Sequence, residues 1–384
     1  MEQILAITWQ NLKSIPARLG ASLVAVVGVA GVVAVLVAVL SMARGFEATL
    51  ESGTGPDNVI VLRSGSSSEL DSGFGGDLTR LIAQSPLLAR SSAEVYVIVD
   101  LPKKSTGTDA NVPMRGVGPD GRDIRANFEI IEGRMFEPGR REIVAGVGAA
   151  DQFAGLNVGD TLRFGTEEWA LVGLFETGGA ADSELWADAP VLQGAYRRGN
   201  NYSVVYGQLT NADDFQAFRD ELTTNPQLSV RVERESEYFA EQSQVLSTFI
   251  SVVGYGIAIL MALGALFGAL NTMYTAVSDR AREIATLRAI GFQPGAVVVS
   301  VMAEAMLLAL IGGVIGAGAA WLLFNGFTVS TLSFSSFTQV VFAFAVTPDL
   351  LVQGLLIALI IGLIGGIAPA IRAARKPIVA GLRD

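Results

Sequence analysis

The sequence predicts an α-helical membrane protein with four transmembrane helices and an α+β extracytoplasmic domain inserted between helices 1 and 2. Two observations lead to this fold class: 51% of the 384 residues are hydrophobic, and uncharged residues are concentrated in four long segments. The segments are 19–43, 242–278, 289–348 and 350–371, and Glu304 is the one charged residue in them. About 20 apolar residues cross the hydrocarbon core of a bilayer, so each segment can hold a spanning helix.

Basic residues predict the orientation of these helices. Lys and Arg flank the spans in the N-terminal tail, between the second and third spans, and in the C-terminal tail. The positive-inside rule places such segments in the cytoplasm, so the insert between the first two spans faces a periplasm or the extracellular space. The predicted segments are a cytoplasmic N-terminal helix 1–18, a first span 19–43, an extracytoplasmic domain 44–243 with a helical stalk at both ends, a second span 244–271, a cytoplasmic loop 272–297, a third span 298–325, an outer loop 326–347, a fourth span 348–371 and a cytoplasmic tail 372–384.

The first span has an alternative interpretation as a cleavable signal peptide, because Ser41-Met42-Ala43 resembles a cleavage site. Its apolar run is about twice as long as the core of a typical signal peptide. We therefore expect the first span to be retained.

Composition removes several kinds of catalytic site. The chain has no Cys and no His, so it lacks a thiolate nucleophile, the commonest metal ligand and the usual general base near neutral pH. It also lacks any Gly-Lys dipeptide, which the phosphate-binding P-loop requires. We expect no enzyme activity, metal or cofactor on this chain, although carboxylate chemistry stays open. Any ATP hydrolysis that drives this protein, with its Mg²⁺, is therefore expected on another chain.

The segment between the first two spans is acidic and of mixed secondary structure. From Arg44 to Gln244 there are 18 basic and 31 acidic residues, which argues against nucleic acid as a partner and is typical of a solvated domain surface. Val- and Ile-rich runs, turn residues and a capping Asn211 predict strands and a helix. The predicted strands are 58–63, 94–101, 161–164, 169–175, 203–209 and 228–232, with a helix from Asn211 to about Thr223 and a more β-rich subdomain around 110–195.

Two long helices are predicted to border this domain. Helical composition continues from Met42 to Leu50, and it begins again near Glu233. A helix from about 233 to 278 would be about 70 Å long, twice the thickness of the bilayer core. We expect these helices to form a stalk that joins the membrane to the outer domain.

The cytoplasmic loop predicts a short amphipathic helix. Ser278 or Asp279 can cap its start, and Gly291 can end it. Helical spacing places Val277, Ala281, Ile284 and Leu287 on one face, and Arg280 and Glu283 as an i,i+3 pair on another. Such a helix either lies on lipid headgroups or seats in a groove of a cytoplasmic partner.

This loop and the chain ends resemble the ABC transporter permeases of the FtsX/MacB type. The resemblance rests on Arg282-Glu283-Ile284-Ala285-Thr286-Leu287-Arg288-Ala289-Ile290-Gly291, on Gly312-Gly313-x-x-Gly316, on Pro369-Ala370-x-Arg372-Ala373-Ala374-Arg375-x-Pro377, on Trp9-x-x-Leu12 with Arg18 and Gly28, and on Gly133-Arg134-x-Phe136 and Val158-Gly159-Asp160. It extends over the whole chain. The cytoplasmic motif is specific, because it combines charged, apolar and glycine positions at fixed spacing.

The resemblance implies a permease subunit that couples ATP hydrolysis on a separate ATPase to movement of the periplasmic domain, for export or extrusion of a substrate. The coupling residues that it implies are Asp279, Arg280, Arg282, Glu283, Ile284, Leu287, Arg288 and Gly291. It implies as partners a cytoplasmic ABC ATPase subunit, a second permease copy, a periplasmic adaptor protein and the lipid bilayer. Two alternatives share this architecture: a regulator that activates an extracellular cell-wall hydrolase, and a permease that extracts lipoproteins.

Two further features lie within the spans. Glu304 is an ionisable residue in the third span, where such residues are costly and often functional. It is expected to pair with Arg288 or Asn271, or to snorkel to the interface, with proton or substrate handling as the alternative. Small residues four apart permit close helix contact within or between subunits. These glycines are Gly264, Gly268, Gly312, Gly316, Gly362 and Gly366.

Overall fold

The computed structural model describes residues 19–125, 127–333 and 337–378. The predicted N-terminal helix 1–18 and the last six residues of the tail lie outside them. The described chain forms two compact units. The first, called the membrane unit, contains residues 19–44, 249–327 and 344–378, and the second, called the outer unit, contains 45–248 and 328–343, apart from the gaps above.

The helices and strands follow one another in a mixed order. They are α1 (Leu19–Glu51), β1 (Asn58–Arg63), β2 (Phe74–Gly75), α2 (Gly76–Ala83), β3 (Leu88–Pro102), β4 (Asp109–Val117), α3 (Gly121–Ile124), β5 (Glu129–Gly133), β6 (Glu142–Gly146), α4 (Val147–Gln152), β7 (Thr161–Phe164), β8 (Glu167–Glu176), β9 (Leu185–Asp188), α5 (Ala189–Ala195), β10 (Asn201–Tyr202), β11 (Val204–Leu209), α6 (Phe215–Thr224), β12 (Val230–Arg234), α7 (Glu235–Asp279), α8 (Ala281–Ala289), α9 (Pro294–Phe324), β13 (Thr328–Leu332), β14 (Gln339–Ala343) and α10 (Pro348–Arg375).

Four helices of the described chain are long and apolar enough to cross a membrane: α1, α7, α9 and α10. Their shared core is built from Val and Leu of α1 packed against Ala residues of the other three helices, and Val33 and Val37 are fully buried in it. Small residues opposite branched ones let the helix axes approach closely. The helical prediction for the four charge-poor segments is confirmed.

Four of the six singled-out glycines make these close contacts. A Cβ at Gly316 would lie 2.3 Å from the carbonyl oxygen of Ala30, and one at Gly362 would lie 2.5 Å from Cβ of Ala309. Gly312 and Gly366 are equally restricted, so α9 packs on α1 and on α10 through glycine. A Cβ at Gly264 or Gly268 of α7 would have no described atom of another element within 4 Å.

The outer unit is built on one ten-stranded sheet in the order β12-β1-β11-β3-β4-β9-β6-β8-β5, with β7 paired to β8. The long strand β3 belongs to both halves of this sheet. Its first part pairs with β11 and its second part with β4. One core forms around Val59, Ile82 and Phe218, and a larger one forms around Phe153 and Trp169.

Most strands predicted from the sequence are confirmed, with shifted ends. The strand at 58–63 and the hairpin through Gly165-Thr166 form as predicted. Asn211 caps a short 3₁₀ turn that leads into α6 by accepting a hydrogen bond from the Asp213 N–H. The strand predicted at 94–101 begins earlier, at Leu88, because residues 88–93 pair with β11.

The predicted outer loop between α9 and α10 is a β-hairpin that packs on the outer unit. Strands β13 and β14 pair antiparallel. The Val341 N–H donates to Oγ of Ser183 at 2.8 Å, the Asn111 amide donates to the Phe337 carbonyl at 2.9 Å, and the Lys103 ammonium donates to Oε1 of Gln339 at 3.0 Å. The hairpin therefore belongs to the outer unit.

Candidate functional site

The short helix α8 connects the membrane helices α7 and α9, as the cytoplasmic motif predicts. The prediction that Ser278 or Asp279 caps it is wrong, because α7 continues through Asp279 and Arg280 occupies the N-cap position. The predicted stop at Gly291 is confirmed: this residue has a φ of 103°. The Phe292 N–H bonds the Leu287 carbonyl at 3.1 Å, and the Gly291 N–H bonds the Arg288 carbonyl at 3.2 Å. These two bonds are the Schellman arrangement, which needs the left-handed conformation that glycine adopts freely.

One face of α8 is packed against other helices of the membrane unit. Ala281 and Ala285 are buried, and Ile284 contacts a cluster that includes Val297 and Val301 of α9. Leu287 is half-buried. Ile284 and Leu287, two apolar residues that the resemblance implies for coupling, are partly buried on this face.

The opposite face of α8, called here the coupling surface, is exposed. It consists of Arg282, Glu283, Thr286 and Ile290, and Ile290 is 69% exposed. Sequence reasoning did not select Ile290, although it is an aliphatic residue directly before the glycine stop of the motif. An exposed aliphatic side chain can supply the apolar part of a protein interface, with charged residues at its polar rim.

Arg280 fastens the start of α8 to α9. Its Nη1 lies 3.0 Å from Oε2 of Glu304, and both side chains are almost fully buried. The predicted partners of Glu304, Arg288 and Asn271, are therefore wrong, and so is the predicted pairing of Arg280 with Glu283. A buried ion pair resists separation, because removal of either partner leaves a charge without compensation. The pair joins the junction of α7 and α8 to the third span.

A second feature lies between the ends of α7 and α10 and one side of α8. It is a cavity of about 610 Å³, called here the basic groove. Arg288, Arg372, Arg375 and Lys376 line it together with Tyr274. The Arg288 guanidinium donates to the Lys376 carbonyl, and the Arg372 guanidinium lies 5.4 Å from the centre of the Tyr274 ring. Arg288 thus lines the groove and is half-buried, whereas the four residues of the coupling surface are exposed.

The outer unit contains a buried charge cluster that the sequence did not reveal. Arg115 lies 2.7 Å from carboxylate oxygens of both Glu69 and Glu184 and 3.1 Å from Glu94. Arg125 makes two further bonds to Glu94, which is fully buried. Burial raises the pKa of Glu69 above its ordinary value, and the charge of Arg115 opposes this shift. An acidic sequence of this kind is expected to place its carboxylates in solvent, and no local spacing marks these residues as exceptions.

The carboxylates of the described residues do not form a metal site. Within 19–125, 127–333 and 337–378, no group of three or more His, Cys, Asp or Glu residues is placed to hold a metal ion. The candidate site described above is the exposed face of α8 together with the contacts that anchor this helix.

Comparison with known proteins identifies both parts of the chain. Residues 22–225 match the MacB-like periplasmic core domain family, and residues 255–378 match the FtsX-like permease C-terminal family. The first match alone extends over more than half of the 384 residues.

Individual relatives are distant. The chain is 25% identical over 344 residues to the macrolide export ATP-binding/permease protein MacB of Bdellovibrio bacteriovorus, which covers 80% of this chain and 52% of that protein. It is 26% identical over 212 residues to the ABC transporter permease YknZ of Bacillus subtilis, which covers 52% of this chain and 49% of that protein. The chain thus aligns with about half the length of these relatives.

Among solved structures, the extracellular domain of YknZ from Gram-positive bacteria matches with a TM-score of 0.37 and 17% identity, over 46% of this chain and 99% of that domain. Four apolar helices accompany the two family matches. The chain is therefore a multi-pass membrane protein of the MacB/FtsX family of ABC transporter permeases, with a MacB-like periplasmic core domain and an FtsX-like permease domain.

Proposed function

We propose that this chain is the permease subunit of a bacterial inner-membrane exporter, and that its coupling surface binds a cytoplasmic ABC ATPase. ATP hydrolysis on that partner would move the helices that lead to the outer unit. Two copies of the chain and a periplasmic adaptor complete the proposed assembly. The relative MacB is named as a macrolide exporter, which supports export as the activity of this chain too.

The observation that carries the proposal is the two-sided environment of α8. One side is exposed with Arg282, Glu283 and Ile290, and the other is packed against α9 and tied to it by the Arg280–Glu304 pair. A partner that pulls or tilts α8 therefore moves α9 with it. Packed side chains, ion pairs and rigid helices of this kind can carry coupling between distant sites.

Helix α7 supports the same mechanism. It runs for 45 residues without interruption, which corresponds to a length of about 68 Å. Its first residues belong to the outer unit and its later residues to the membrane unit. Because α8 follows directly after α7, a force on the coupling surface acts on one end of this helix.

The test is recovery of the ATPase with variants of the coupling surface. The double substitution Glu283→Ala with Ile290→Ala should reduce co-purification of the ATPase on the order of tenfold or more, the range of a binding hot spot. Glu129→Ala removes an exposed carboxylate from the outer unit and is the matched control. Unchanged recovery of the ATPase with the folded double variant would refute the proposed coupling surface.

The orientation is tested separately with single cysteines, since the chain has none of its own. Ser105→Cys in the outer unit and Glu283→Cys in α8 both place a thiol at an exposed position. An impermeant maleimide applied to intact spheroplasts should label the first and not the second. The reverse result would overturn the proposed topology.

Partners retained in mild detergent distinguish export from its alternatives. A membrane-anchored adaptor that co-purifies with the chain supports export. A peptidoglycan hydrolase in its place would replace export with regulation of the cell wall, and a lipoprotein carrier would indicate lipoprotein extraction.

A further inference from the structure

We propose that the basic groove binds the headgroup of an anionic phospholipid, whose acyl chains lie along the exposed face of α10. The groove is large enough for a headgroup, at about 610 Å³, and lies at the ends of α7 and α10, beside α8. By the orientation above, this end faces the cytoplasm, where a negatively charged leaflet attracts basic segments. The proposal concerns a different surface from the coupling surface and does not depend on an ATPase.

Charge is the first argument. The groove is lined by three arginines and one lysine, and none of its lining residues in the described chain is Asp or Glu. Guanidinium groups bind phosphate oxygens through two parallel hydrogen bonds and keep their charge at any physiological pH. The Arg288 guanidinium uses one of its five N–H groups for the hydrogen bond to the Lys376 carbonyl. Its other N–H groups can donate to an anion.

The apolar surface that leads into the groove is the second argument. Ile360, Ile364, Ile367 and Ile371 of α10 are 40% to 53% exposed. Their spacings of four, three and four residues place them on one face of the helix. Ile371, the last of them, also lines the groove. A stripe of isoleucines that ends among arginines matches an amphiphile, whereas a free anion would need only the charged part.

Tyr274 is the third argument. It lines the groove from α7, and the Arg372 guanidinium packs on its ring. Aromatic residues with a polar tip concentrate at membrane interfaces, at the level of the headgroups. The stacking also holds Arg372 at the rim of the groove, so that its position is set before a lipid arrives.

The experiment measures lipid retention by the purified full-length protein with native mass spectrometry. Phosphatidylglycerol, phosphatidylcholine and inorganic phosphate are the three probes. We expect the wild type to retain phosphatidylglycerol in preference to phosphatidylcholine. The triple substitution Arg372→Gln, Arg375→Gln and Lys376→Gln should weaken this preference on the order of a hundredfold, as expected for three basic residues at an anionic surface.

Two controls accompany the triple variant. Arg282→Gln removes one guanidinium from the exposed side of α8, outside the groove, and should leave lipid retention unchanged. Arg372→Lys with Arg375→Lys keeps the charge but removes the two-donor guanidinium geometry, and should weaken the preference by a smaller factor, on the order of tenfold. This conservative pair also tests the groove if the triple variant fails to fold.

Three results would overturn the proposal. The first is equal retention of phosphatidylglycerol by the wild type and the folded triple variant. The second is displacement of the lipid by an equimolar amount of inorganic phosphate, which would reduce the groove to a site for free anions. The third is loss of a co-purifying protein from the triple variant without any lipid preference in the wild type, which would assign the groove to a protein partner.

Discussion

In the outer unit, a single buried arginine contacts several buried carboxylates. Arg115 is in contact with Glu69, Glu94 and Glu184, and its guanidinium also lies 5.1 Å from the centre of the Tyr96 ring. Loss of this buried cation leaves Glu69 and Glu184 without a cationic partner, whereas Glu94 keeps Arg125. Such groups either take up protons or destabilise the fold.

We therefore expect Arg115→Met to lower the free energy of unfolding of the outer unit by about 3–5 kcal/mol. Chemical unfolding of the detergent-solubilised protein, followed by tryptophan fluorescence, measures this change. Trp186 donates a hydrogen bond to Glu184 of the same cluster and is a local reporter. Arg90→Gln is the control, because Arg90 is exposed and donates a single hydrogen bond to Gln208. Equal stability of the two variants would show that the cluster is not stabilising.

A second residue-scale prediction concerns acid stability. Two hydrogen bonds of 2.7 Å from Arg134 lower the pKa of Glu142 to about 2. A lowered pKa stabilises the folded state above pH 4.5, and the contribution disappears as the pH falls toward 2. Because Arg134 is half exposed, the contribution is at most about 1 kcal/mol.

Thermal unfolding between pH 7 and pH 3 tests this contribution. Glu142→Gln should unfold at a lower temperature than the wild type at pH 7 and should lose less stability on acidification. Glu129→Gln, on an exposed edge of the sheet, should follow the wild type throughout. A wild-type pH profile for Glu142→Gln would mean that the ion pair contributes nothing.

At the scale of elements, glycines on different helices have different environments. Gly316 faces the backbone of α1 so closely that any side chain must separate the two helices. Gly264 of α7 has the same type of motif but faces no other element among the described residues. Leu260 and Phe267, about one helical turn before and after Gly264, are large and exposed.

We expect Gly316→Leu and Gly264→Leu to separate folding from association. Gly316→Leu should destabilise the bundle by about 1–3 kcal/mol or more, because the clash is with backbone. Gly264→Leu should leave the thermal stability of the monomer unchanged and should lower the dimer fraction, since a second copy would pack through this face. Size-exclusion chromatography with light scattering measures both species. A Gly264→Leu variant that remains dimeric would place the subunit contact elsewhere.

Elements with regular patterns were predictable from the sequence, and contacts between distant segments were not. The four apolar helices, strand β1 and the stop of α8 at Gly291 each follow from local composition or a single residue type. The Arg280–Glu304 pair was missed because it joins residues 24 positions apart, whereas helical spacing favoured Glu283 as the partner of Arg280. The placement of Ile284 inside and Ile290 outside depends on how α8 packs on α9, which a helical pattern alone does not determine.

At the scale of the whole molecule, the stalk helices are the expected route of movement. Glu51 lies at the end of α1, and Glu241 lies in the early turns of α7. Both side chains are exposed. If the two copies of the chain act together, the nucleotide state of the ATPase should change the separation of these positions between the copies.

Spin labels at Glu51 and Glu241 test this movement in the assembled complex. We expect a shorter distance between the copies with ATP bound to a hydrolysis-deficient ATPase than without nucleotide. A disulfide that locks the two stalks together should abolish function, and a reductant should restore it. Identical distance distributions in both states, together with a locked stalk that still functions, would exclude mechanical transmission through these helices.

The hairpin β13–β14 has a consequence for the order in which the protein is made. The outer unit is assembled from two stretches of chain, and its last strands lie beyond α7 and α9 in the sequence. During synthesis, the residues around Ser183 and Asn111 are therefore made well before the hairpin that packs on them. Until the third span has been synthesised and inserted, that surface stays open to water, proteases and chaperones. The outer unit therefore cannot be completed before α7, α8 and α9 have been synthesised.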